Sequence, residues 1–247
     1  MLYGICPLSV VPVRAEASDA SEMITQLLYG DHFEVIETKS NWIKIRIAFD
    51  DYEGWLDHKQ AHEIDEATFK RLSESKLCST DLLSLMTTKN GDLMPVCIGS
   101  SIDASGELHH QFDGATNESF SKLDLIDTAM LYLNSPYLWG GKSPFGIDCS
   151  GFVQMVYKIG GIKLYRDAYE QAKQGQALSF IEESEPGDLA FFDNEDGKII
   201  HVGLMMKDNY IIHAHGQVRI DRIDHSGIFN VDTGRYSHNL RVIKKIT

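Results

Sequence analysis

No stretch of the 247 residues is rich in lysine or arginine, and 36 acidic side chains face 23 basic ones, a formal net charge of −13. Binding a phosphate backbone needs clustered Lys and Arg, so nucleic acid is excluded as the main partner. An anionic membrane surface is disfavoured on the same electrostatic ground. Long apolar runs are missing too, since nothing approaches the roughly 18 residues of a membrane span. The opening "MLYGICPLSVVPVRAE" has no basic n-region and is interrupted by Pro7, Pro12 and Arg14, so it does not read as a signal peptide. Cysteines are few: Cys6, Cys78, Cys97 and Cys149 lie far apart and form no C-x-x-C pair. That excludes a disulfide framework or a clustered zinc site and fits reduced thiols. These absences lead to the expectation of a cytoplasmic protein with no membrane partner.

What is present is ordinary globular composition, 43% hydrophobic and 24% charged. The length exceeds a single domain of roughly 100 to 200 residues, so more than one unit is expected. Residues 1–60 alternate short β segments with turn signals at Tyr29-Gly30-Asp31 and Lys39-Ser40-Asn41, the pattern of a small all-β barrel or sandwich. Residues 61–79 place Ile64, Ala67, Phe69 and Leu72 among charges and predict a linking helix. Residues 80–120 return to β-like runs with turns at Asn90-Gly91 and Ser105-Gly106, a second, less regular β module. From 121 to 247 the order is helix, Gly-rich turn, helix and then consecutive strands, an α+β arrangement.

Chemistry concentrates in "SPYLWGGKSPFGIDCSGFVQMVY", residues 135–157. Phe152, Val153, Val156 and Ile159 recur at helical spacing after Cys149, and Gly160-Gly161 ends the run. Cys149 therefore falls at a helix N-terminus, where backbone N–H groups and the helix dipole favour a thiolate. A small buried thiol at a helix start is the plainer alternative, and a histidine is needed to decide between them. Downstream, "KIIHVGLMM" and "YIIHAHGQVRI" read as an antiparallel hairpin about Lys207-Asp208. His201 then stands opposite or one step diagonal to His213, and His213 shares a face with His215. His58, His62, His109, His110, His225 and His238 sit in polar surroundings and are assigned no role. A zinc site from His201, His213 and His215 would lack an acidic ligand and an open-site motif.

Taken in order, residues 135–157 with "GDLAFF" at 187–192, "HVGLMM" from His201 and "YIIHAHG" from Tyr210 resemble the NlpC/p60 family of papain-like cysteine peptidases. The resemblance covers about the last half of the chain. It implies an α+β papain-like domain with Cys149 as nucleophile, His201 as general base and acid, and His213 as its orienting residue. No metal or cofactor is implied. Tyr137 and the Cys149 N–H are implied oxyanion donors, and Asp148, Ser150 and Trp139 are implied to line the substrate groove. "DDYEGWLD", with Tyr52, Gly54 and Trp55, resembles the end of a bacterial SH3 domain, so SH3-like barrel modules are expected to precede the peptidase.

Relatives with that module order commonly cut the bond between γ-D-glutamate and a diamino acid in murein peptides. The subgroup that includes dipeptidyl-peptidase VI enzymes reads the free amine of an N-terminal L-Ala. "YRDAYEQA" resembles its segment and offers Asp167 for the ammonium, with Tyr52 and Glu16 as candidates from the SH3 module. Ala168 departs from the serine that relatives often carry there. Plainer readings stand beside these: Tyr52 and Trp55 as barrel core, and Asp167 as a helix cap. The implied activity is γ-D-glutamyl-L-diamino acid endopeptidase in murein peptide recycling. Its rivals are a hydrolase of intact wall, a non-catalytic wall-peptide binder, and an enzyme that uses the same thioester for acyl transfer.

Overall fold

A computed structural model describes residues 2–117 and 124–246, so the expected boundary at 120/121 lies outside the described residues. The chain divides into two compact units, residues 1–120 with 139–144 and residues 121–138 with 145–247.

In the first unit the period-two pattern makes strands whose alternate residues are buried. Val11 and Val13 of β2 (Val10–Arg14), Ile43, Ile45 and Ile47 of β5 (Trp42–Ile47) and Leu56 of β6 (Glu53–Asp57) share one core with Leu27 and Phe33. With β1 (Tyr3–Ile5), β3 (Met23–Leu28), β4 (His32–Lys39) and β7 (His62–Ile64) they form an antiparallel sheet of order β3-β2-β6-β5-β4-β1-β7, an SH3-like barrel. Gly30, at φ 78°, turns the chain between β3 and β4, and a Cβ there would meet the Ser101 carbonyl oxygen at 1.9 Å. Only glycine allows that approach.

The expected linking helix is shorter than its stripe. Ile64 lies in β7 opposite Tyr3, and α1 (Glu66–Glu74) starts after Asp65, whose carboxylate accepts the Thr68 N–H at 2.7 Å. Residues 80–117 form a three-stranded sheet, β8 (Leu83–Thr87), β9 (Leu93–Cys97) and β10 (Gln111–Phe112) in the order β10-β8-β9. Ser105-Gly106 starts a short helix, α2 (Ser105–Leu108), rather than a turn between strands. Met86, Val96, Ile102 and Leu108 pack in one cluster with Ile5, Tyr29, Ile64 and Leu72, so this sheet completes its core with residues of the barrel and of α1. The two-residue strand β11 (Lys142–Ser143) also belongs to this unit.

The second unit has α3 (Asp124–Leu131), a two-residue strand β12 (Gly146–Ile147), α4 (Cys149–Ile159) and α5 (Ala168–Gln171). A sheet follows with the order β13 (Gln176–Ala177), β19 (Arg235–Lys245), β14 (Leu189–Asp193), β15 (Ile199–Met205), β16 (Tyr210–His215), β17 (Gln217–Asp224) and β18 (Gly227–Asn230). The long β19 pairs with β18 through its first half and with β14 through its second, closing the sheet on itself. Ala190, Phe192, Met205, Ile211, Ile223, Ile228 and Ile243 form its core. Every residue of α4 is buried, the polar Ser150, Gln154 and Lys158 included. Tyr157 anchors it by donating its hydroxyl to the Gly187 carbonyl.

Candidate active site

Cys149 opens α4. Asp148 is the N-cap, with extended backbone and a carboxylate that accepts the Gly151 N–H at 2.7 Å. Arg166, 1% exposed, grips that carboxylate with both terminal nitrogens, Nη1 to Oδ1 at 3.0 Å and Nη2 to Oδ2 at 2.6 Å. The same Nη1 donates to the Ser150 hydroxyl at 2.9 Å, and Gln171 donates to the Ser150 carbonyl. Asp148 and Ser150, expected to line a groove, are 5% and 7% exposed and committed to this buried network beside the nucleophile. Arg166 is absent from the sequence expectations because nothing in "YRDAYEQA" distinguishes a buried cation from a solvated one.

The expectation of an acidified thiol does not hold. Burial pushes the Cys149 thiol up to about 12, the Asp148 charge pushes the same way, and hydrogen bonds from the Val202 and Ser150 N–H groups only partly offset them. Desolvation thus outweighs the helix terminus. The Val202 contact sets the thiol against β15, the strand that also carries His201.

The β15–β16 hairpin turns through residues 207–209 and pairs Gly203 with His213, so His201 is one step diagonal to His213. A Cβ at Gly203 would meet His213 Cβ at 2.9 Å, so the absent side chain leaves the imidazole its room. Nε2 of His201 lies 2.8 Å from Nδ1 of His213. Burial, then the neighbouring histidines His213, His238 and His215, hold the His201 pKa well below 6.5, and burial lowers that of His213 as well. Burial thus favours the uncharged form of both the thiol and the imidazole.

Two further groups complete the cluster. Nε2 of His213 lies 3.1 Å from Oδ2 of Asp221, which is fully buried. The hairpin β16–β17 puts Arg219 opposite His213 and Asp221 opposite Ile211, so all four share a face. His238, assigned no role from sequence, stacks on His201 with ring centroids 4.1 Å apart and planes at 21°. Its surroundings are polar only in sequence, because His238 and Leu240 alternate inward along the first part of β19, before a register shift opposite Phe191 and Phe192 brings Ile243 into the core. Asp221 hides in "QVRIDRID", where two aspartates have equal claims until the register is known.

Tyr137 is half exposed and held by a bridge to Ile147 and by its N–H to the Gly216 carbonyl. Burial, then the Cys149 and Asp148 charges, raise its phenol to about 12, so it stays a hydrogen-bond donor at neutral pH. Asp167 holds the N-cap position of α5, and its side chain makes no capping bond there.

Trp139, Tyr52 and Glu16 belong to the first unit. Trp139 is 62% exposed and donates its indole N–H to Glu22 at 2.6 Å. Tyr52 is half-buried and packs against the barrel core, while Glu16 is exposed in the β2–β3 turn with its N–H on the Ser21 hydroxyl. Trp55, expected in that core, is on the opposite face of β6 from Gly54 and Leu56 and is only half-buried. Among the described residues no cluster of His, Cys, Asp and Glu is arranged to hold a metal ion, and no helix is long and apolar enough to cross a membrane.

Comparison with known proteins agrees with this architecture. Residues 13–60 match the bacterial dipeptidyl-peptidase Sh3 domain and residues 134–235 match the NlpC/P60 family. The gamma-D-glutamyl-L-lysine dipeptidyl-peptidase of Bacillus subtilis (strain 168) is 30% identical over 77% of this chain and 71% of its own. Dipeptidyl-peptidase 6 of Lysinibacillus sphaericus is 29% identical over 85% of this chain and 88% of its own. The crystal structure of an NlpC/P60 family protein from Bacillus cereus ATCC 10987 shares the fold, with a TM-score of 0.76 over 98% of this chain and 99% of that one at 19% identity. With an SH3 domain at residues 13–60 and the peptidase pattern spanning Cys149, His201 and His213, the chain belongs to the NlpC/P60 family of cysteine peptidases.

Proposed function

We propose that the protein hydrolyses the γ-D-glutamyl-L-diamino acid bond of murein peptides that begin with a free L-Ala, releasing L-Ala-D-Glu for cell-wall peptide recycling. The observation that carries this reading is the buried thiol of Cys149 against the Val202 N–H of β15, the strand that carries His201 of the 2.8 Å His201–His213 pair. The choice of bond is supported by relatives named gamma-D-glutamyl-L-lysine dipeptidyl-peptidase and dipeptidyl-peptidase 6. The recycling role fits a cytoplasmic enzyme, and four buried cysteines outside any disulfide accord with a reducing compartment.

In this mechanism His201 takes the Cys149 proton as the sulfur attacks the γ-carbonyl carbon. A neutral pair avoids holding an ion pair in a dry site before substrate arrives, so the proton moves only as the C–S bond forms. The Tyr137 hydroxyl and the Cys149 N–H, an orphan donor of the first helical turn, hold the oxyanion. His201 then returns the proton to the departing amine, and water hydrolyses the thioester. Arg166 fixes Asp148, and through it the turn from which the sulfur projects. Asp167 pairs with the substrate ammonium, because a desolvated cation needs a matched anion.

The test is mass spectrometry of products from L-Ala-γ-D-Glu-diamino acid peptide and its N-acetylated form. The expected result is L-Ala-D-Glu from the free peptide and nothing from the acetylated one. Equal cleavage of both would remove the amine requirement, and release from intact sacculi would favour a wall hydrolase. Asp167→Asn, Tyr52→Phe and Glu16→Gln are assayed on the same pair, and a residue whose loss leaves the preference unchanged is struck from the proposal.

A further inference from the structure

The Asp221 carboxylate is fully buried and meets hydrogen-bond donors on every side. Oδ2 faces His213 Nε2 at 3.1 Å and Arg219 Nε at 2.7 Å; Oδ1 faces Arg219 Nη2 at 2.9 Å and the Val231 N–H at 3.1 Å. Arg219 in turn donates to Asp232 at 2.8 Å. We propose that Asp221, locked by Arg219, is a positioning residue that fixes the tautomers of both His213 and His201, leaving His201 Nδ1 as the unprotonated nitrogen that accepts the Cys149 proton. The inference rests on the reading of Cys149 and His201 given above.

An ionised carboxylate can only accept, so the proton of neutral His213 must sit on Nε2. His213 Nδ1 is then an acceptor, and the group facing it at 2.8 Å, His201 Nε2, must carry a hydrogen. A neutral imidazole has one N–H, which leaves His201 Nδ1 with a lone pair. Burial pulls the Asp221 carboxyl up, but the bonds from His213, Arg219 and Val231 outweigh it and bring it to about 2, so it remains an acceptor throughout the working range. Stacked His238, nearby His215 and Arg219 disfavour a second proton on the pair. During turnover the thiol proton moves to His201 Nδ1 and on to the leaving amine, while the Nε2–H and the His213 proton stay where they are.

Asp221→Asn frustrates this arrangement in either amide orientation. Its NH₂ must face two donors at the Oδ1 position, or face His213 Nε2 and Arg219 Nε at the Oδ2 position. The second orientation reverses both histidines and points an N–H from His201 Nδ1.

The experiment compares the full-length wild type, D221N and C149A. Histidine ring ¹⁵N spectra are recorded beside kcat and KM for the free peptide from pH 6 to 10. Expected are Nε2–H tautomers at His201 and His213 in wild type and altered tautomers in D221N. The kcat loss at pH 7 should be about 100-fold or more with KM within about twofold, by analogy with tautomer reversal in serine triads. The deficit should shrink as pH rises, since hydroxide can then take the thiol proton without His201. A wild-type His201 protonated on Nδ1 would overturn the proposal whether or not D221N folds. So would a D221N loss that is equal at all pH values with unchanged tautomers. An active C149A would instead sink the underlying reading of the site while leaving the tautomer spectra standing.

Discussion

Cys6 in the SH3-like barrel and Cys149 at the head of α4 are nearly the same thiol by local chemistry. Both are buried, and in both desolvation pushes the pKa up to about 12. Their surroundings differ. Cys6 donates to the Leu8 carbonyl at 3.3 Å within an apolar core, whereas Cys149 receives N–H groups from Val202 and Ser150 beside a chain of imidazoles backed by Asp221. The comparison teaches that resting acidity is a poor guide to a nucleophile in a dry site. What separates the two is a proton acceptor held in place.

The sharpest way to break the comparison is to remove each sulfur. Cys149→Ala is expected to lower kcat by about 10⁴-fold or more, the scale at which loss of a covalent nucleophile is felt. Cys6→Ala should leave the rate within about twofold, and the fold of both variants is checked by circular dichroism. A C6A enzyme as dead as C149A would mean that the pair had been read wrongly.

The buried ion pair is the next effect. Arg166→Met removes the guanidinium that grips the buried Asp148 carboxylate with both terminal nitrogens, a change worth about 3 to 5 kcal/mol in urea unfolding. The exposed pair Lys70–Glu66, given the same treatment, should leave the unfolding midpoint essentially unmoved. Comparable losses at the two sites would contradict the burial argument.

A gentler contrast uses alkylation. With iodoacetamide at pH 7.5, one thiol is expected to react first, and peptide mapping should place it at Cys149 because His201 can accept its proton. Cys6 and Cys97, raised by burial with no such acceptor, should lag by an order of magnitude or more. His201→Ala should remove that lead.

The smallest effect concerns pH. His201, His213 and His238 titrate lower in the fold than the ordinary 6.5, His238 at about 4, so the unfolded chain binds more protons below about 6.5. Their contribution is full above that pH and declines as pH falls. Asp221 adds to the loss lower down, between about 4 and about 2. The melting temperature should therefore drop from pH 7 to 4, and His238→Phe, which keeps a stacking ring, should flatten the upper part of that slope. An unchanged slope would show that His238 is solvated.

Much of this was legible in the sequence because it depends on local pattern. The helix after Cys149, its Gly160-Gly161 end, the alternating barrel strands and the diagonal His201–His213 pair all follow from spacing and a short hairpin. Sequence reasoning failed where partners come from elements distant in the chain or where solvation reverses a local rule. Arg166 reaches Asp148 from the loop after α4, and His238 reaches His201 only because β19 closes the sheet. The acidity of Cys149 went the other way because a helix terminus counts for less than complete removal from water.

The most direct test of the account is to quench wild-type enzyme in acid during turnover of the free peptide and weigh the intact protein. The prediction is an adduct equal to L-Ala-D-Glu less one water, mapping to the Cys149 peptide and absent from C149A. Steady release of L-Ala-D-Glu by C149A, or an adduct that maps to another residue, would contradict it.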